Sequence, residues 1–275
     1  MSREIPSTGP RGPSVRVRMT VAYHGAGFAG FAVNPGLRTV GGVLTEALER
    51  VLGRPITLAC AGRTDAGVHA WGQVVSFDTD HPTLDLVHLS RSINKLCAPA
   101  VAVRDAAIVA KDFDARHSAV ARSYRYTIMN RPEPNPFSTD TAWHVPMPLD
   151  LSALRLGCDP LIGSHDFSAF CRRPKVPEGS IDKPLVRRVQ HARWHDLGDG
   201  WLRFDIEAGA FCHQMVRSIV GTLVEMGSGK KRPGDMSGIL RSRDRSRAGQ
   251  VAPPHGLMLW QVRYGDPRDA ADDTS

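Results

Sequence analysis

Hydrophobic residues in this chain switch between a period of two and a period of 3.6, and the order of the switches restricts the fold. Val15, Val17, Met19 and Val21 alternate with Arg16, Arg18 and Thr20, the pattern of a strand with one buried face. Residues 39–52 then place Val43, Leu44, Ala47, Leu48, Val51 and Leu52 at helical spacing. Thr39 stands as the N-cap and Gly53 where a helix-ending glycine belongs. Strands are predicted at 56–61 and 73–77, a helix at 87–96 and a strand at 100–109. After Arg116 the pattern restarts, with a strand at 123–129, a helix at 151–161 and strands at 186–195 and 201–208. A long amphipathic helix is predicted from about 210 to 226. Short, hairpin-like connections join several strands, so the chain reads as α/β of the α+β type rather than as a run of βαβ units. Residues 15–118 form one predicted half and 119–265 a second, with no sequence repeat between them. Residues 1–14, rich in Pro, Gly and Ser, and the acidic residues 266–275 read as flexible tails.

With 275 residues the chain can bury a sizeable core. No apolar stretch is long enough for a membrane span, and the first residues lack the apolar segment of a secretory signal. Five cysteines, at 60, 97, 158, 171 and 212, are scattered and contain no Cys-x-x-Cys pair. That argues against a disulfide framework or a zinc site and suits a reducing cytoplasm. The histidines form no His-x-x-x-His pair beside a carboxylate, so no metal is expected. Lys and Arg exceed Asp and Glu by 35 to 28, giving a net charge of +7. The basic residues concentrate at 172–175, 187–188, 230–232 and 241–247. Each run alone reads as a solvated surface; the four together point to a polyanionic partner such as RNA or DNA.

Gly25-Ala26-Gly27-Phe28-Ala29-Gly30 matches G-x-G-x-x-G and follows a strand. A dinucleotide site also needs a helix to open at the last glycine, and Pro35 and Gly36 would break it. The segment reads as a loop, and no cofactor is expected from it. Gly62-Arg63-Thr64-Asp65-Ala66-Gly67-Val68-His69 is more informative, because its glycines permit a tight loop that pushes one side chain forward. Asp65 is that candidate, with Arg63 placed to hold a phosphate or steady the carboxylate. A plain turn, in which Asp65 accepts backbone N–H groups, explains the same composition.

The run from Ala61 to His69 closely resembles the catalytic loop of the tRNA pseudouridine synthase A family. Other segments resemble that family's motifs in order: Asp112-Phe113-Asp114-Ala115-Arg116 with Arg122-Ser123-Tyr124-Arg125-Tyr126, then His165-Asp166-Phe167-Ser168-Ala169-Phe170, then residues 210–221, and last Ala252-Pro253-Pro254-His255-Gly256-Leu257. The resemblance spans residues 15–264. It implies two similar halves joined through a central, mostly antiparallel sheet with flanking helices. It also implies Asp65 as the catalytic aspartate, Tyr124 stacked on the target uracil, Arg217 paired with Asp65, and Arg63, Arg116 and Arg122 as substrate-binding residues. Read without the family, Tyr124 is equally a core tyrosine on a strand. Arg217 has a clue of its own: it flanks the buried stripe of its helix beside His213 and Gly221, where an arginine snorkels or finds an acid.

The implied reaction breaks the N1–C1′ bond of uridine, turns the base and joins C5 to C1′. It needs an ionised carboxylate, as nucleophile or as base toward a ribose proton, and no redox group or metal. A neighbouring arginine favours the ionised form and can hold both oxygens in its planar fork. A hydrolytic glycosidase would want two carboxylates, and the Asp65 loop offers one. The implied substrate is uridine at 38–40 of the tRNA anticodon stem-loop, bound by a homodimer in the cytoplasm. Alternatives are a paralogue acting on another RNA or position, and a catalytically silent RNA-binding protein. The chain departs from the family pattern at His24, Phe31, Ala32, Gly41 and Met258, which bears on substrate choice.

Overall fold

The structure, a computed structural model, describes residues 14–81, 84–172 and 185–265. The predicted tails therefore lie outside the described residues except for Ser14, as do 173–175 of the first basic run. Ten strands form one sheet: β1 (Val15–Tyr23), β2 (Ala59–Cys60), β3 (His69–Thr79), β4 (Val101–Val109), β5 (Ala119–Met129), β6 (Trp143–His144), β7 (Gly163–Asp166), β8 (Val186–Asp196), β9 (Trp201–Ala208) and β10 (Leu257–Tyr264). The order is β4-β1-β3-β10-β5-β9-β8-β7, with β2 added to β3 and β6 to β5. All pairs are antiparallel except β3–β10 and β5–β6. The last strand thus returns to the middle, between β3 from before residue 118 and β5 from after it.

Period-two patterning decides which face is covered. Tyr124 and Tyr126 of β5, Phe204 and Ile206 of β9, Trp194 of β8 and Leu259 of β10 share one buried face and one continuous core. Into this core the helices α1 (Val40–Leu52), α2 (Leu86–Cys97), α3 (Leu151–Leu156), α4 (Met215–Gly227) and α5 (Asp235–Ser242) send their apolar residues. The opposite face carries Arg125, Arg203, Asp205 and Glu207, linked by hydrogen bonds and ion pairs near its surface.

Helix α1 is built as its sequence predicts: the Thr39 hydroxyl accepts from Gly42 N–H and Gly53 ends the helix at φ 69°. Strands β3 and β5 run longer than predicted, and three further elements differ more. The strand at 56–61 shortens to Ala59–Cys60. The helix at 151–161 ends at Leu156, where Gly157 lets α3 approach Leu223 and Met226 closely, and a 3₁₀ turn follows. The helix expected from 210 begins at Met215, because Gln214 adopts a left-handed conformation (φ 64°) that no helix continues through. The cysteines also need a correction: Cys171 and Cys212, 41 residues apart, are joined as a disulfide, while Cys60, Cys97 and Cys158 are free. Their partnership is a product of the fold and has no signature in their spacing.

Candidate active site

The loop between β2 and β3 is clamped from three sides, which is why its one carboxylate can be aimed. Gln73, fully buried on β3, uses its amide as a peptide substitute, accepting from Gly62 N–H (3.3 Å) and donating to Gly62 C=O (2.6 Å). The Tyr23 hydroxyl shares a 2.7 Å hydrogen bond with Thr64 Oγ1. From outside, the glycine-rich loop after β1 lies directly on the backbone: Phe31 N–H donates to Thr64 C=O, and Gly67 N–H to Phe28 C=O. A Cβ on Gly25 would sit 2.1 Å from Val68 O, and one on Gly30 2.8 Å from Thr64 O. The G-x-G-x-x-G run is therefore a backbone-to-backbone support for the Asp65 loop, which is the physical need that Gly25 and Gly30 meet.

Held this way, Asp65 faces α4. Its Oδ2 lies 3.1 Å from Arg217 Nη1, and its Oδ1 3.3 Å from His213 Nε2. Arg217 is only 13% exposed and is itself fixed, because its Nε–H donates to Ala252 C=O at 2.7 Å. The plain-turn reading of Asp65 gives way here: Asp65 C=O does close a turn with Val68 N–H, but the carboxylate is spent on Arg217 and His213.

These groups line a cleft of about 1170 Å³ that Tyr124 also enters. Tyr124 is a buried strand residue whose ring meets Phe211 edge-on at 5.0 Å. Burial pushes its hydroxyl well above the ordinary tyrosine range, so the ring stays neutral. Cys60 shares the cleft, yet burial raises its thiol to about 11, so it is protonated near neutrality and is no rival nucleophile. Arg63 and Arg116 are exposed at the cleft wall, as a phosphate-binding role requires.

Arg122 is placed otherwise than expected. Its five N–H groups donate to the carbonyls of Ala61 (twice), Ala119, Gly209 and Arg116, at 2.6 to 3.2 Å. A guanidinium has five N–H donors, so none remains for a phosphate. Arg122 instead ties the strand before the Asp65 loop to β5 and to the turn that presents Arg116. Of the basic runs, Arg187 lines the cleft; residues 230–232 and 241–247 do not. Lys231 pairs with Glu225 and Arg243 with Asp166. Sequence reasoning named His213 only as a neighbour of Arg217, put Phe211 in the buried stripe of the predicted helix, and counted Arg187 only as part of a basic run. For Phe211 and His213 the late start of α4 is the reason, since it turns 210–214 into a loop at the cleft.

Among the described residues no three His, Cys, Asp or Glu side chains converge as a metal site, and no helix is long and apolar enough to cross a membrane. A family model described as tRNA pseudouridine synthase matches residues 158–265. The chain is similar to the tRNA pseudouridine synthase A of Myxococcus xanthus, with 39% identity over 91% of this chain and 92% of that protein. It is 42% identical to the enzyme of that name from Methylobacterium nodulans, over 90% and 96% of the two chains. The Shouchella clausii protein of that name is 40% identical over 92% and 94%.

Proposed function

The chain belongs to the tRNA pseudouridine synthase A family, and on that premise we propose that it isomerises uridines 38–40 of the tRNA anticodon stem-loop with Asp65 as the catalytic carboxylate. It is an isomerase acting on tRNA. The observation that carries the assignment of Asp65 is its geometry: a cleft carboxylate presented by a clamped loop and paired with an anchored arginine, whereas the cleft's other acid, Asp114, is engaged by the N–H groups of Arg116 and His117. Breaking N1–C1′ leaves positive charge developing on the ribose. A carboxylate fixed beside C1′ either attacks that carbon or removes a ribose proton, and both routes use an ionised Asp65.

To react, the uracil leaves its helical stack, which costs a few kcal/mol. Tyr124, walled by Phe211, offers a flat face in the same cleft, and base–aromatic stacking returns ~1–3 kcal/mol. Arg63 and Arg116 at the rim supply phosphate contacts. Arg217 keeps the carboxylate oriented through its fork to Ala252 and Asp65. The homodimer rests on the family resemblance; the two halves, residues 15–118 and 119–265, rest on the restart of the strand pattern as well, and the cytoplasm on cysteine usage.

Pseudouridine mapping by carbodiimide-blocked primer extension on transcribed tRNAs tests the proposal, with wild type beside Asp65→Ala. Stops just 3′ of the anticodon with wild type alone support it. Stops elsewhere, or in other RNAs, select a paralogous substrate, and persistence of stops in Asp65→Ala removes Asp65 from the chemistry.

A further inference from the structure

We propose that His213 is a positioning residue for Asp65, holding the carboxylate oxygen that Arg217 does not reach. The inference rests on the reading of Asp65 as the catalytic carboxylate. Arg217 meets Oδ2 through a single nitrogen at 3.1 Å, because its Nε is committed to Ala252 C=O. One contact of that kind fixes an oxygen but not the carboxylate plane, since the terminal torsion of an aspartate is broad. His213 Nε2 stands 3.3 Å from the other oxygen. A carboxylate only accepts, so for His213 to hold Oδ1 the proton must sit on Nε2. With both oxygens held from one side, the carboxylate plane is set and its remaining lone pairs point into the cleft.

The main chain that delivers His213 is itself fixed. His213 C=O accepts from Arg172 N–H at 2.9 Å, and the preceding Cys212 is bonded to Cys171. The following Gln214 takes its left-handed conformation, and Met215 N–H closes the turn on Cys212 C=O. A half-exposed imidazole, 49% accessible, therefore reaches Asp65 from a rigid base rather than from a loose loop. A purely structural histidine would be buried here; a group that orients a reacting carboxylate has to share its open side. Arg63, Arg116, His117 and Arg187 line the same cleft, so an RNA contact by His213 is the competing role, and kinetics separates the two.

The test is steady-state kinetics on transcribed tRNA for wild type, His213→Ala, His213→Gln and Asp65→Ala, with thermal melts confirming that each is folded. Small misplacements of a reacting group cost up to about 100-fold, so His213→Ala is expected to lower kcat by about 10- to 100-fold with KM nearly unchanged. Glutamine places an amide N–H near the Nε2 position, and His213→Gln is expected to recover most of that loss. Unchanged kcat in His213→Ala overturns the proposal. So does a raised KM with intact kcat, which makes His213 an RNA contact, and so does a His213→Gln as impaired as the alanine variant. Wild-type protein inactive on every tRNA would instead sink the assignment of function.

Discussion

His69 follows the Asp65 loop and is 2% exposed, and its two nitrogens have opposite duties. Nδ1 accepts from Gly25 N–H at 2.9 Å, so the proton sits on Nε2, which donates to His255 C=O at 3.0 Å. Burial lowers its pKa first, and the nearby His24 ring adds to this. Asp140, which pairs with His24, acts in the opposite direction. Burial likewise lowers His195 and His255. A histidine held neutral by the fold binds its proton later than the unfolded chain does, so its contribution to stability is complete above the unfolded value, ~6.5, and is lost as pH falls below it. Wild-type protein is therefore expected to melt at a lower temperature at pH 5.5 than at pH 7.5. His69→Asn keeps an acceptor for Gly25 and should show a smaller drop; an equal drop would show that the charge does not enter at His69. Single residues were unevenly legible in the sequence. Asp65 and Arg217 stand out because an acid in a glycine-rich loop and an arginine beside a buried stripe each ask for a partner. Arg122 does not, since a strand arginine that serves four carbonyls and one that grips a phosphate look the same in a sequence.

At the scale of elements, the support beneath the Asp65 loop is glycine backbone. Gly30 has φ 93°, and a Cβ there would press 2.8 Å from Thr64 O, a main-chain atom that cannot swing aside. Gly30→Ala therefore adds left-handed strain of about 1–3 kcal/mol to a steric clash, and the cheapest relief is to lift one loop off the other. The expected result is a lower melting temperature together with loss of activity out of proportion to it, read as kcat at a temperature where the variant is folded. Full activity in a stable Gly30→Ala protein would mean that the contact does not set Asp65. The sequence marked this run as a loop on the strength of Pro35 and Gly36, but not what it lies against. The other misread elements have comparable causes. In β10 the register shifts between Leu259 and Gln261, which breaks the alternation that would announce a strand. Helix α5 has eight residues and no side-chain N-cap, too little signal to read. The apolar pattern of α4 continues in the sequence back to Phe211, but Phe211 turns toward Tyr124 from a loop.

For the whole molecule the decisive joint is β3 with β10, where the strands before residue 118 meet those after it. The joint is short: its parallel register holds Met258 against His69 and Leu259 against Ala70. It nonetheless sets the distance between the Asp65 loop, which enters β3 at His69, and Tyr124, whose strand neighbour is Leu259. The division at 118 is drawn from the restart of the strand pattern and stays a proposal; the return of the last strand to the centre had no signal, because no local pattern encodes a partner nearly 190 residues away. On the face opposite Tyr124 the joint is reinforced. Trp71 of β3 and Trp260 of β10 stack at 6.1 Å and 16°, with Arg104 over Trp71 at 3.9 Å and Arg125 over Trp260 at 3.5 Å. Each cation–π contact contributes ~0.5–1 kcal/mol at an exposed site, and the ring pair adds a similar amount. Trp260→Ala removes the ring pair and the Arg125 contact and is thus expected to cost about 1–2 kcal/mol, which at this chain length lowers the melting temperature by roughly 2–8 °C. Because the stack points away from the cleft, kcat at 25 °C should stay within about twofold of wild type, as for distant independent sites. An unchanged melting temperature would show that the short parallel pairing and Leu259 hold the joint alone. A folded Trp260→Ala protein without activity would show that the stack fixes the spacing of Asp65 and Tyr124, not merely the stability of the sheet between them.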